Sequence, residues 1–170
     1  MLSPRNAVIA CMILVAAASR LLPHPPNFTP IAAMALFSGA HLRDRRAAFV
    51  LPLAAMFLSD LVLGLHALIP VVYGSFALIV CIGFWLCQRS TILRIATASL
   101  AGSVLFYLVT NFACALPRSL EGLVDCYVAG IPFFRNTLLG DAFFNTVLFG
   151  GFAVAAHAYP KLREPTPAVA

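Results

Sequence analysis

Apolar segments at residues 6–22, 31–42, 47–65, 69–87, 92–116 and 136–159 take up most of a 170-residue chain. Such runs are apolar on every face, and a soluble domain of this size has no interior large enough to hide them. A membrane-spanning helix needs about 20 apolar residues, so the chain has room for five or six spans and little else. Composition agrees: only 10% of residues are charged, against roughly a quarter in soluble domains. The expectation is an all-α, polytopic membrane protein of six transmembrane helices, forming one domain over 1–170, with no separate soluble catalytic domain.

Segment 31–42 is short for ~30 Å of hydrocarbon at 1.5 Å per residue, so charge has to decide whether it crosses. With six spans and a cytoplasmic N-terminus, Arg5, Arg43, Arg45, Arg46, Arg89, Arg94, Lys161 and Arg163 lie inside, against Arg20, Arg118 and Arg135 outside. That grouping obeys the positive-inside rule, and leaving the segment uncrossed scatters the charges. Six spans with both termini cytoplasmic follow. The outer connections are a Pro-rich loop at 23–30, a tight one near 66–70 and a long one at 117–135. The tail "EPTPAVA" reads as disordered.

"MLSPRNAVIACMILVAAASR" imitates a signal peptide, and "VIAC" a lipobox, but Arg5 lies too near Cys11 and cleavage would upset the charge pattern. The five cysteines (Cys11, Cys81, Cys87, Cys114, Cys126) have no CxxC spacing, so neither a zinc site nor a full disulfide framework is indicated. Only Cys114 and Cys126 are placed to meet an oxidising compartment. No Walker motif is present, so any ATP is hydrolysed elsewhere.

Polar side chains inside spans are costly, so their positions carry information. Ser103, Tyr107, Thr110, Asn111 and Cys114 form one stripe; Thr137, Asp141 and Asn145 form another; Asp60 sits late in its span. All fall toward the outer side. Interhelical hydrogen bonding accounts for such stripes one residue at a time, but a shared depth points to a cavity open outward. Asp60 and Asp141 have Arg20, Arg135 or His66 as prospective counter-charges.

In "YGSFALIVCIGFWLC" a helical wheel puts Gly74, Ala77, Leu78 and Cys81 in one narrow arc, with Cys81 ~15 Å from the outer end at helical rise. A buried cysteine is usually an inert small hydrophobe. At the floor of a cavity, with small residues above it, a soft sulfur donor also suits a transition metal carried in by a ligand.

The runs "RLLPHPPNFTPIAAMALFSGA", "PLAAMFLSDLVLGLH", "GSFALIVCIGFWL", "FYLVTNFACAL" and "LEGLVDCYVAGIPFFRNTLLGDAFFNTVLFGGF" together resemble the substrate-binding S-components of energy-coupling-factor (ECF) vitamin transporters. The likeness covers about residues 5–160 and is closer to the small solitary branch proposed to take up vitamin B12. It implies an outward cavity gated by the loop "PHPPNFTP", with cobalamin or a related corrinoid as the transported ligand. S-components dock on a coupling subunit of an ECF-type ATPase module through small-xxx-small faces on the first helix. Here Ala7, Ala10 and Ala18 are followed four residues on by Cys11, Leu14 and Leu22, which leaves that partner in question and favours the solitary branch.

Corrinoids carry a rim of amides and a cobalt that takes axial ligands. His24, Asn27, Phe28, Asp60, Tyr73, Tyr107, Asn111, Asp141 and Asn145 are the expected ligand contacts, with Asn136 as a further amide for the rim. Cys81 is the expected cobalt ligand, with His24 the lesser candidate. Sulfur donation to cobalt would labilise the opposite axial ligand, such as cyanide, giving thiol-assisted decyanation. The rival readings are an S-component for another vitamin or small solute, with Cys81 a packing residue; a membrane-embedded enzyme acting on bound cobalamin; and a helix bundle without a ligand.

Overall fold

A computed structural model describes residues 3–87, 89–115 and 120–163. Among them the chain is helical throughout its ordered elements: α1 (Pro4–Ser19), α2 (Ile31–His41), α3 (Arg45–Leu63), α4 (Ile69–Leu86), α5 (Ile92–Ala115), α6 (Leu120–Asn145) and α7 (Gly151–Ala158), with a π turn (Thr146–Gly150) joining the last two. Arg118 and the tail at 164–170 lie outside the described residues.

Local chemistry sets the helix ends. Ser3 caps α1 by accepting from the Asn6 amide at 3.2 Å, with Pro4 as first helical residue, and Asp44 caps α3 by accepting from the Arg46 amide at 2.8 Å. Both side chains satisfy amides that have no partner within the helix. Gly64, at φ 106°, stops α3, a conformation that costs a residue with a Cβ.

α2 is the axis of the bundle. Every residue from Ile31 to Ala40 is buried, and α1, α3, α4, α5 and α6 all pack on it. Eleven residues span only ~16 Å, yet a helix wrapped in protein need not match the bilayer, because its ends meet side chains rather than lipid. Small residues permit the close approach: a Cβ on Gly39 would lie 2.4 Å from the Val80 carbonyl oxygen, and one on Gly83 would lie 2.6 Å from that of Leu36. α2 and α4 therefore cross at backbone contact.

Four helical stretches are long and apolar enough to cross a membrane: Arg45–Leu63, Ile69–Leu86, Ile92–Cys114 and Gly122–Ala158. The bundle exterior fits that reading, with Leu58, Val62, Leu78, Trp85, Leu108, Phe112, Val128 and Val154 all exposed; an apolar belt of this extent on a soluble protein would be an aggregation surface.

The long outer loop expected at 117–135 is corrected: residues from Leu120 onward are helix, continuous with the last span. Gly122, Gly130, Pro132 and scattered charges gave the stretch the look of a loop, but packing on α5 holds it helical. Tyr127 donates its hydroxyl to the Leu108 carbonyl at 2.8 Å, Tyr107 packs on Phe134 at 4.8 Å, and Cys114 Sγ touches Cys126 Sγ at 2.8 Å. The 37 residues of Gly122–Ala158 measure roughly 55 Å, so this helix outruns the hydrocarbon.

The ends of the bundle differ. One gathers Arg5, His41, Cys87, Ser90 and Arg163 around a cavity of about 310 Å³, with Arg5, Arg45 and Arg94 resting on the rings of Phe152, Phe84 and Trp85, an arrangement suited to the headgroup level. The other, here the loop end, carries the α1–α2 connection. Arg5, Arg45, Arg94 and Arg163, four of the eight basic residues grouped by the charge pattern, thus share one end.

Candidate functional site

At the loop end the chain leaves α1, turns through three closely spaced prolines and comes down on α6. Asn27 takes φ 63°, a left-handed conformation that asparagine tolerates better than most residues. Phe28 lies against Phe143 and Phe144, with ring centroids 5.9 and 5.7 Å away. Asn136 donates its amide to the Pro26 carbonyl at 2.9 Å. Gly140 makes room for the descent, since a Cβ there would sit 3.1 Å from the Thr29 nitrogen and 3.2 Å from Phe28 Cα. The loop is seated on α6.

Two cavities lie beneath it. One, of about 170 Å³, is lined by Asn27, Tyr107, Thr110, Asn111, Gly130 and Thr137. The other, of about 180 Å³, includes Arg20, Asn27, Thr29, His66, Thr137 and Asp141. Asn27, Phe106 and Thr137 border both, so the two are neighbours separated by side chains. Gly130 lets Asn111 fill the α5–α6 crossing: a Cβ on Gly130 would lie 2.5 Å from Asn111 Oδ1. Asn111 in turn donates to the Tyr107 carbonyl at 2.8 Å.

Of the residues read from the sequence as ligand contacts, Asn27, Tyr107, Asn111 and Asp141 line these cavities. Asp60 and Tyr73 do not. Asp60 is paired with Arg20 at 2.8 Å and accepts from the Tyr73 hydroxyl at 2.8 Å, while Arg20 also donates to Ser59 and to the Met56 carbonyl. That network ties the end of α1 to α3 and α4 and acts as a structural clamp. His24 is exposed, with Nδ1 2.9 Å from the Pro25 carbonyl oxygen, and Phe28 is spent on anchoring the loop. Asn145 lies deeper, donating to Ser99 Oγ at 3.0 Å. Thr137, Thr110, Phe106 and Arg20 were not among the expected contacts; the polar stripes already contained the two threonines.

The placement of Cys81 is corrected. Gly74, Leu78 and Cys81 do share a face of α4, but it is exposed and turned away from α2. Cys81 borders neither loop-end cavity. Ser75, Phe76, Ile79, Val80 and Gly83 form the buried face, because the close crossing at Gly39 and Gly83 fixes the rotation of α4. A helical wheel groups residues without saying which group faces inward, and in an apolar helix both sides look alike. Among the described residues no group of three or more His, Cys, Asp or Glu side chains is placed to hold a metal ion.

Fold and site together define an all-helical protein with membrane-spanning helices and a pair of polar cavities roofed by a loop at one end. The chain belongs to DUF6580, a family of unknown function, which matches residues 1–162. No curated protein and no solved structure matches it.

Proposed function

We propose that this protein is a transport protein of the bacterial inner membrane, with both termini cytoplasmic, that binds and takes up cobalamin or a related corrinoid at the loop end. The observation that carries the reading is the convergence of Asn27, Tyr107, Thr110, Asn111 and Thr137 on adjoining cavities under one loop. A corrin rim of amides needs such paired donors and acceptors, and a loop seated by a few contacts on one helix is suited to open.

Opening is required. Cavities of about 170 and 180 Å³ fall below the ≈ 300–1,000 Å³ of ordinary ligand pockets, and a corrinoid is a large ligand. Admission would break the Asn136–Pro26 hydrogen bond and lift Phe28 off Phe143 and Phe144, joining the two cavities into one. In this reading Cys81, which shares the exposed face of α4 with Gly74 and Leu78 and borders neither cavity, reaches cobalt only if admission of the ring also turns that face toward the joined cavity. Bonding to cobalt favours the thiolate, and donation through the metal weakens the bond to the opposite axial ligand.

The cavity volumes favour one other reading, uptake of a smaller vitamin or solute that fits beneath a closed loop, with no part for Cys81. Calorimetry of cobalamin on detergent-purified protein separates the two. The corrinoid reading predicts saturable heat, a visible spectral shift in the wild type and in Cys87→Ser, and loss of that shift in Cys81→Ser. No heat with cobalamin rules it out, and saturable heat with a smaller vitamin instead establishes the rival.

A further inference from the structure

Below the two cavities, α5 and α6 meet through four polar side chains at two levels. Ser103 contacts Asp141 with 2.6 Å between Oγ and Oδ2. One turn away, Asn145 donates to Ser99 at 3.0 Å. Asp141 is only 2% exposed, and Ser103 and Asn145 are buried with it. Among the described residues Asp141 has no cationic partner, whereas Asp60 is matched to Arg20.

Counting hydrogens leaves two arrangements. Ser103 Oγ also lies 2.9 Å from the Ser99 carbonyl oxygen. A hydroxyl has one proton to give, and a carbonyl only accepts. If Ser103 satisfies Ser99, the 2.6 Å contact needs its proton from the carboxyl. The alternative, in which Ser103 donates to Asp141, leaves a carboxylate that is 2% exposed and has no cationic partner among the described residues, a costly arrangement in a medium of low dielectric. A second observation bears on the same cluster: Asn145 Oδ1, one turn away, is buried with no hydrogen-bond donor, so a carboxylate at Asp141 would add another poorly matched acceptor to a buried site. Immediately after Asn145 the helix widens into the π turn at Thr146–Gly150, a feature that often marks functional positions.

Asp141 is not sealed off, for it borders the 180 Å³ cavity. Across that cavity stand Arg20, from the end of α1, and His66, from the α3–α4 connection; α2, α4 and α5 contribute Ile31, Ala32, Val72, Phe76 and Phe106, none of which titrates. Arg20 Nε is also buried without an acceptor, so a guanidinium with hydrogen-bonding capacity to spare faces the site where a carboxylate would form.

We propose that Asp141 holds an exchangeable proton at the bottom of the loop-end cavity, seated by Ser103, Ser99 and Asn145, and that release of this proton is coupled to transport. The step is simple to balance: the carboxylic acid gives one proton to water in the cavity and becomes a carboxylate, facing Arg20, which it would share with Asp60, and His66 across the cavity. Intramembrane carboxyls that exchange protons are a recurring element of proton-driven carriers. The coupling half rests on the transport reading; the proton site itself does not.

Infrared spectroscopy of the protein in lipid vesicles tests the site without any ligand. The wild type should show a carboxylic-acid C=O band at neutral pH that shifts in D₂O, moves in frequency in Ser103→Ala and is lost in Asp141→Asn. A wild type without the band, or the same band in Asp141→Asn, overturns the proposal. Vesicles with acid outside and neutral buffer inside test the coupling, with cobalamin as probe. Uptake several-fold above that at equal pH, lost in Asp141→Asn, supports it. Wild-type vesicles that bind cobalamin but ignore the gradient overturn the coupling and spare the substrate assignment. If cobalamin does not bind at all, the substrate assignment fails and the infrared band decides the proton site alone.

Discussion

Replacing Gly83 by alanine should loosen the whole bundle, because Gly83 lies where α4 meets the buried axis. The new Cβ would sit 2.6 Å from the Leu36 carbonyl oxygen and 3.1 Å from the Cα atoms of Leu36 and Gly39. These obstacles are backbone, so no side chain can swing aside and the helices must part by close to 1 Å. A gap of 0.5–1 Å forfeits about a quarter to a half of each ~0.1–0.2 kcal/mol atom contact. Over a few tens of contacts the loss is about 1–3 kcal/mol, the range known for overpacked cores. For a chain of this size, at about 2–4 °C per kcal/mol, that is a fall of roughly 2–12 °C in melting temperature, measured by thermal unfolding in detergent. Since α2 also lends Ile31 and Ala32 to a cavity wall, ligand affinity should fall with it. Gly74→Ala, with nothing within 4 Å, is the control and should melt at or slightly above the wild type. A Gly83→Ala protein that melts with the wild type would refute the close crossing and the inward face assigned to α4.

Two further substitutions separate clamp from cavity. Asp60→Asn strands the Arg20 guanidinium in a buried site and should cost about 3–5 kcal/mol, most of it recovered in the double variant with Arg20→Met, as read by thermal melts of the three proteins. Gly130→Ala pushes only on the flexible end of Asn111, so it should leave the melting temperature nearly unchanged while weakening ligand binding in calorimetry; equal losses in both would mean that Asn111 is a packing residue.

The helical spans, their alternation and the gathering of basic residues at one end could be read from the sequence, because each depends on hydropathy and charge, which need no tertiary information. The polar stripes were legible for the same reason, and Tyr107, Asn111 and Asp141 from them line the loop-end cavities, as does Asn27 from the loop. Two features were not. The start of α6 carried glycine, proline and charge, and its helicity comes from Tyr107, Phe134 and Tyr127 packing across from α5, a contact no local pattern encodes. The facing of Cys81 depended on rotation about the α4 axis, which is set by Gly39 and Gly83 touching across α2 and α4. Glycines at helical spacing in an apolar run give no sign of which neighbour they admit.

The corrinoid assignment is tested most directly by the visible absorption spectrum of the protein purified from cells supplied with cobalamin. The account predicts a coloured protein with about one corrinoid per chain, its axial-ligand bands displaced from those of the free vitamin. A colourless protein that also fails to retain added cobalamin on gel filtration would contradict it.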